Sequence, residues 1–365
     1  MKKPLASGSA TPDQIRSILV IHQGALGDFI LALPTLETLR DGFPKAKVVM
    51  MGFPRILELV NQRFYADEIL SIDQRGMASF FFRGGVLDQT LSRFFSTFDL
   101  LVVFGKDGEG TLIGNLKQVC QGLILHINPF PQWTERIHLT DHLIRELTRY
   151  GFLPSTKNPR LFLSEKDEDW GKSFCRLKGL TDEERSKAVV IHPGSGSRKK
   201  VWPLERFLEL THYFQRHFNS RILIVLGPAE GPEVQKAFGG MEWELGSAAP
   251  LLVKGLSLLE LASVMEGCSL FIGNDSGITH MAAALGLPTI AIFGPSDHKI
   301  WSPRGEKVFV VRKEMNCSPC SEERFVRCKD LECLRAVEVG DVLEGIRKLK
   351  IQLQKEDEDG REKNR

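Results

Sequence analysis

The feature that most restricts the fold is a recurring junction. A short, β-branched apolar run ends in a small-residue turn, and the turn passes at once into a helical segment. It occurs at 18–28, at 188–203 and at 270–280. Runs of four to six apolar residues without polar alternation form strands buried on both faces, as in parallel sheets. Parallel strands need helical crossovers, so the chain must layer helices on both sides of each sheet. Strands are expected over 18–22, 47–51, 68–72, 100–104 and 122–126, then over 188–192, 221–226, 270–273 and 289–293. Helices are expected over 29–39, 56–61, 138–150, 203–217, 258–267 and 278–285. The stretch 165–187 is charged and helical in pattern, with no strand signal. The expected fold is α/β: two doubly wound, Rossmann-like domains facing a central cleft, over 17–175 and 176–350. An N-terminal tail (1–16) precedes them, and a charged tail (351–365) follows and reads as disordered.

The 365 residues suffice for two to three domains of roughly 150 residues each. Lys and Arg number 48 against 46 Asp and Glu, a net charge of +2. A general nucleic-acid binder needs a phosphate-neutralising basic excess, so that class is excluded. A small anionic ligand is not, because a few placed charges suffice. No apolar run approaches the roughly 20 residues that cross a bilayer, and residues 1–14 lack the apolar centre of a signal peptide. The expected location is cytoplasmic.

Three segments carry chemistry. In Ile21-His22-Gln23-Gly24-Ala25-Leu26-Gly27-Asp28, only two glycines are present, so it is neither the dinucleotide fingerprint nor a P-loop. Asp28 is either a helix N-cap or, at the carboxyl end of the first strand where open α/β sheets bind ligands, a general base. In His192-Pro193-Gly194-Ser195-Gly196-Ser197-Arg198-Lys199-Lys200, small residues free backbone amides beside three cations, a phosphate-binding combination. The competing reading is a solvated basic loop. In Gly273-Asn274-Asp275-Ser276-Gly277-Ile278-Thr279-His280, Ser276 and Gly277 offer a hydroxyl and amides at a helix start, and His280 follows one turn in. Here the competing readings are an N-cap for Asp275 and a packed core position for His280.

Together these segments resemble glycosyltransferase family 9, the ADP-heptose:lipopolysaccharide heptosyltransferases. The matches are G-A-L-G-D-F-I-L-A-L-P, H-P-G-S-G-S-R-K-K-V-W-P-L-E-R-F and G-N-D-S-G-I-T-H-M-A-A-A-L-G-L-P-T-I-A-I-F-G-P-S-D, within a likeness that covers about residues 17–345. The resemblance implies a GT-B fold, with acceptor bound by the N-terminal domain and nucleotide-sugar donor by the C-terminal one. It implies inverting transfer with no metal ion and no cofactor, the ADP-sugar being a substrate. Asp28 matches the family's base. Ser195, Gly196 and Lys200 match its phosphate segment, with Lys200 neutralising the departing diphosphate. Asp275, Ser276, Gly277 and His280 match its donor turn, and Glu230 lies where the family places an acid at the nucleoside. His22 and Gly27 are the candidates on the acceptor side. His22 stands where relatives often carry a basic residue, and near Asp28 it reads equally as a group that tunes the base or touches the acceptor and as a satisfied strand-end histidine in the core. The implied acceptor is a lipid-linked saccharide. The alternatives are a related transferase using another nucleotide sugar and a non-catalytic nucleotide- or glycan-binding protein. A nucleotide-sugar epimerase is weaker, and a NAD-dependent oxidoreductase is disfavoured by the missing fingerprint.

Two further features stand out. Residues 75–104 hold Phe80, Phe81, Phe82, Phe94, Phe95, Phe98 and Phe104 with Arg75, Arg83 and Arg93 among them. They read either as core or as an aromatic, cationic contact with the inner membrane. Cys317, Cys320, Cys328 and Cys333 lie within 17 residues, but the spacing departs from paired C-x2-C and no histidine joins them. Loop thiols, reduced or partly paired, are expected there rather than metal ligands.

Overall fold

A computed structural model describes residues 14–351 apart from 133, 219, 228–229 and 241–248. The N-terminal tail up to residue 13 and the charged tail from 352 lie outside the described residues. The chain forms two compact units, residues 1–164 and 165–365.

The first unit carries strands β1 (Ser17–His22), β2 (Lys47–Gly52), β3 (Glu68–Ser71), β4 (Leu100–Phe104) and β5 (Leu123–Ile127). Their order is β3-β2-β1-β4-β5, and every pairing is parallel. β1 and β4 lie at the centre and are almost wholly buried, which is why both read as unbroken apolar runs. Asp99 fastens the start of β1, its carboxylate accepting from the Arg16 and Ser17 amides. One face of the sheet, at Leu19, Ile21 and Val103, packs against Phe80, Phe95 and Leu116.

The second unit carries β6 (Val189–His192), β7 (Ile222–Leu226), β8 (Leu251–Lys254), β9 (Leu270–Asn274), β10 (Thr289–Ile292) and β11 (Val308–Val311). Their order is β11-β10-β9-β6-β7-β8, again parallel throughout. Two of these strands, β8 and β11, escape the sequence reading. Both are four-residue strands at the sheet margins and only partly buried; their apolar stretches, 251–253 and 308–311, are too short to tell a strand from other structure by pattern alone. Both sheets have the doubly wound order, which reverses at β1/β4 in one and at β6/β9 in the other. Ligands of open α/β sheets bind outside the carboxyl ends of the strands at such reversals.

The division falls between Ser164 and Glu165 rather than at 175/176. Helix Glu165–Leu177 packs on helix Leu258–Met265 of the second unit. The contact is so close that a Cβ on Gly171 would lie 2.0 Å from the Ser263 carbonyl oxygen. The expected helical stretch 165–187 is also two helices, the second being Asp182–Ser186 with a Thr181–Glu184 capping box. Its Arg185 is buried, and the guanidinium donates to the Ser263 carbonyl at 2.9 Å.

Candidate functional site

All three motif segments leave strands at the reversals: the Asp28 segment follows β1, the His192–Lys200 segment follows β6, and the Asp275 segment follows β9.

In the first unit, β1 ends in His22, which is 6% exposed. Its ring lies against Phe29 and Phe104, with centroids at 5.3 and 5.4 Å. Burial lowers its pKa to about 4, so the imidazole is neutral at pH 7. Nδ1 accepts from the Gly24 amide at 3.2 Å, which leaves the ring proton on Nε2. A Cβ on Gly24 would meet His22 Cε1 at 2.6 Å and Asp28 Cβ at 2.9 Å. His22, Gly24 and Asp28 therefore pack as one piece, and only glycine fits between the two side chains. Helix Leu26–Gly42 begins here with Ala25 as its N-cap. Asp28 is its third residue, not its cap, and Oδ2 accepts from the Ala25 amide at 3.3 Å. The carboxylate closes the helix start from inside while remaining half-buried. Gly27 is the residue before it in the same turn.

In the second unit the segments after β6 and β9 are bound to each other. Asn274, fully buried, joins them: Oδ1 accepts from the Trp202 amide at 2.9 Å and Nδ2 donates to the Pro193 carbonyl at 2.8 Å. Ser195 Oγ donates to the Asp275 carbonyl at 2.7 Å. Lys200 Nζ lies 2.9 Å from Asp275 Oδ2, a carboxylate on a residue 7% exposed. Ser276 is the N-cap of helix Gly277–Ala284 and accepts from the Thr279 amide at 3.3 Å. Its Oγ lies 3.4 Å from His192 Nδ1, on an imidazole that burial also lowers to about 4. Gly277 opens the helix, and His280 lies buried one turn in. Gly196 is exposed, with open space where its Cβ would be. The arrangement presents a helix N-terminus, a half-exposed lysine and a bare glycine backbone together, which suits an anion.

Glu230 is 8% exposed, and Oε2 accepts from the Gly227 amide. Its Oε1 occupies the space of a Cβ on Gly194, 1.5 Å from where that atom would sit. The side chain thus reaches from the turn after β7 to the segment after β6. Lys199 departs from the expected cluster of three cations. Its Nζ donates to the carbonyls of Phe325, at 2.7 Å, and Val326, and lies over the Phe325 ring. It closes the end of helix Glu322–Arg327 instead of facing an anion. Asn274 is the residue that sequence reasoning passes over. Its signal was present, since a lone amide ending a buried strand must find partners for both of its ends.

All seven cysteines are free thiols. Among the described residues no group of three or more His, Cys, Asp or Glu side chains is placed to hold a metal ion. No described helix is long and apolar enough to cross a membrane.

Comparison with known proteins supplies the family. The family model described as glycosyltransferase family 9 (heptosyltransferase) matches residues 145–328, half of the chain. Lipopolysaccharide heptosyltransferase 3 of Escherichia coli K12 is 21% identical over 299 residues, covering 77% of this chain and 83% of the relative. Among solved structures, a family 9 glycosyl transferase from Veillonella parvula superposes with a TM-score of 0.74 at 22% identity, covering 92% of this chain and 97% of that one. The ADP-heptose LPS heptosyltransferase II of E. coli gives 0.69 at 19% identity, with 91% and 98% covered. The fold is the GT-B arrangement of two α/β sheets, and the chain belongs to glycosyltransferase family 9, the heptosyltransferases.

Proposed function

We propose that the protein transfers a heptose from ADP-heptose to an inner-core saccharide of lipopolysaccharide, in a single inverting displacement without a metal ion. The relatives named above, a lipopolysaccharide heptosyltransferase and an ADP-heptose heptosyltransferase, support the donor and acceptor classes. The observation that carries the reading is the Lys200–Asp275 pair beside the N-terminus of helix Gly277–Ala284. It holds one cation ready beside a set of amides, as a leaving diphosphate requires.

In this reading the second unit binds the donor. The amides and hydroxyls of Ser195, Gly196, Ser276 and Gly277 face the diphosphate, Glu230 accepts from the nucleoside, and Asp275 and His280 complete the pocket. The first unit binds the acceptor through the turn around Gly27. Asp28 takes the proton of the acceptor hydroxyl as that oxygen attacks the anomeric carbon. The bond from the anomeric carbon to the phosphate oxygen breaks with its electron pair, and ADP leaves with its charge met by Lys200. A base at this step is worth roughly 10²–10⁴ in rate. His22 is too deeply buried to serve as a broad acceptor contact, so we assign it to holding the Gly24 turn under Asp28. The reaction is placed at the cytoplasmic face of the inner membrane, where such an acceptor is anchored.

The test is a thermal-shift series with ADP, UDP and GDP, because a ligand raises the melting temperature according to its affinity for the native state. ADP is expected to stabilise the protein more than the other two. A larger shift with UDP or GDP would replace the donor assignment with another nucleotide sugar.

A further inference from the structure

The segment between β3 and helix Gln89–Phe95 divides its phenylalanines by role. Phe80 is fully buried, its ring edge-on to Phe95 with centroids 4.9 Å apart. Met77 is buried beside it. Phe81, Phe82 and Val86 are 46%, 67% and 93% exposed. Three exposed large apolar side chains thus fall within six consecutive residues. Elsewhere among the described residues, exposed large apolar side chains are scattered along the chain.

The exposure is not a loose loop end. Asn115, 6% exposed, donates from Nδ2 to the carbonyls of both Phe80 and Phe82, at 2.9 and 3.0 Å. Ser79 Oγ donates to the Gly76 carbonyl and accepts from the Asp88 amide. The base of the excursion is therefore fastened on both sides while residues 81–86 project. Arg75, Arg83 and Arg93 are all exposed around it. Of the two acids in 73–93, Asp88 turns its carboxylate inward to cap Leu91, leaving Asp73 outside.

Position in the sheet completes the argument. The excursion follows β3, and the Asp28 turn follows β1. Both strands run parallel in one sheet, so both segments leave at the same edge. Exposed aromatics beside arginines bind the headgroup–acyl boundary of anionic membranes, the rings entering the boundary and the guanidinium groups meeting phosphate.

We propose that residues 81–86 form the contact of this protein with an anionic lipid bilayer, docking the Asp28 edge of the first sheet toward a membrane-anchored acceptor. The choice of a bilayer rests on the lipid-linked acceptor of the function proposed above; the surface itself rests on the geometry.

The experiment is co-sedimentation of the full chain with vesicles of phosphatidylethanolamine and phosphatidylglycerol, and with phosphatidylcholine vesicles as the neutral arm. The wild type is expected to bind the anionic vesicles, with binding that weakens as salt rises. The double variant Phe81→Ser/Phe82→Ser is expected to lose about tenfold or more in partitioning, the order expected from withholding two phenyl rings from the boundary. Arg83→Ser is expected to lose about fivefold on anionic vesicles only. ADP binding and transfer to a water-soluble, delipidated acceptor should be unchanged in all variants, which shows that they are folded. Absence of wild-type binding, equal binding by the double variant, or equal binding to the neutral vesicles would overturn the proposal. Vesicle binding with no transfer to any acceptor would instead sink the proposed function and leave the surface standing.

Discussion

At the scale of the residue, the candidate segments of each unit rest on a buried neutral histidine that ends the first strand of its sheet. His22 and His192 are both lowered to about 4 by burial, against 6.5 in an unfolded chain. Between those values the unfolded state binds protons that the folded state refuses, so stability falls as pH drops from 6.5 toward 4. Each histidine contributes a slope of up to about 1.4 kcal/mol per pH unit in that window. Urea unfolding from pH 7 to 4.5 should show this loss, and His22→Asn should flatten it while keeping an acceptor near the Gly24 amide. A variant with the wild-type slope would show that His22 is already charged in the fold. The sequence placed His22 at a strand end beside Asp28 and left its role open between the acceptor and the core. Burial decides such a question, and burial depends on Phe29 and Phe104, whose approach no local pattern states.

At the scale of the element, the run Arg198-Lys199-Lys200 shows what a charge pattern conceals. The basic segment was legible as a candidate anion site, but its three cations do not act alike. Lys200 pairs with Asp275, whereas Lys199 closes helix Glu322–Arg327, more than 120 residues downstream. That partner is tertiary and leaves no trace near Lys199 in the chain. Lys200→Met is expected to weaken ADP binding by roughly tenfold or more, since a charge-assisted contact is lost. Lys199→Met should leave ADP affinity within about threefold and lower stability by about 1 kcal/mol, the ordinary worth of a hydrogen bond. Titration calorimetry and denaturant unfolding separate the two; equal losses of ADP affinity would mean that both lysines face the diphosphate. The helix containing Asp28 was legible for a different reason. Its apolar run followed a strand directly, although the residue that begins it is Ala25 and not the acid.

At the scale of the molecule, the two sheets were readable because their central strands are buried on both faces and so appear as unbroken apolar runs. The marginal strands β8 and β11 were passed over although 251–253 and 308–311 are apolar, because runs this short do not by themselves set a strand apart. The place of the division was also hidden. Helix Glu165–Leu177 has the charged composition of a connector, and its packing on helix Leu258–Met265, tightest where Gly171 meets Ser263, commits it to the second unit. What the strand orders add is a common placement for three distant motifs. Each leaves its sheet at the point where the order reverses, the position at which a doubly wound sheet opens to a ligand. The function proposed above divides the labour between the units: it gives Asp28 the activation of the acceptor in the first, and the segments after β6 and β9 the holding of the donor in the second. The most direct test is Asp28→Ala, assayed for heptosyl transfer from ADP-heptose and, in parallel, for ADP binding by calorimetry. The account predicts a fall in turnover of at least about a hundredfold, with ADP affinity within about twofold of wild type. Turnover at the wild-type level, or ADP binding lost along with it, would contradict the account.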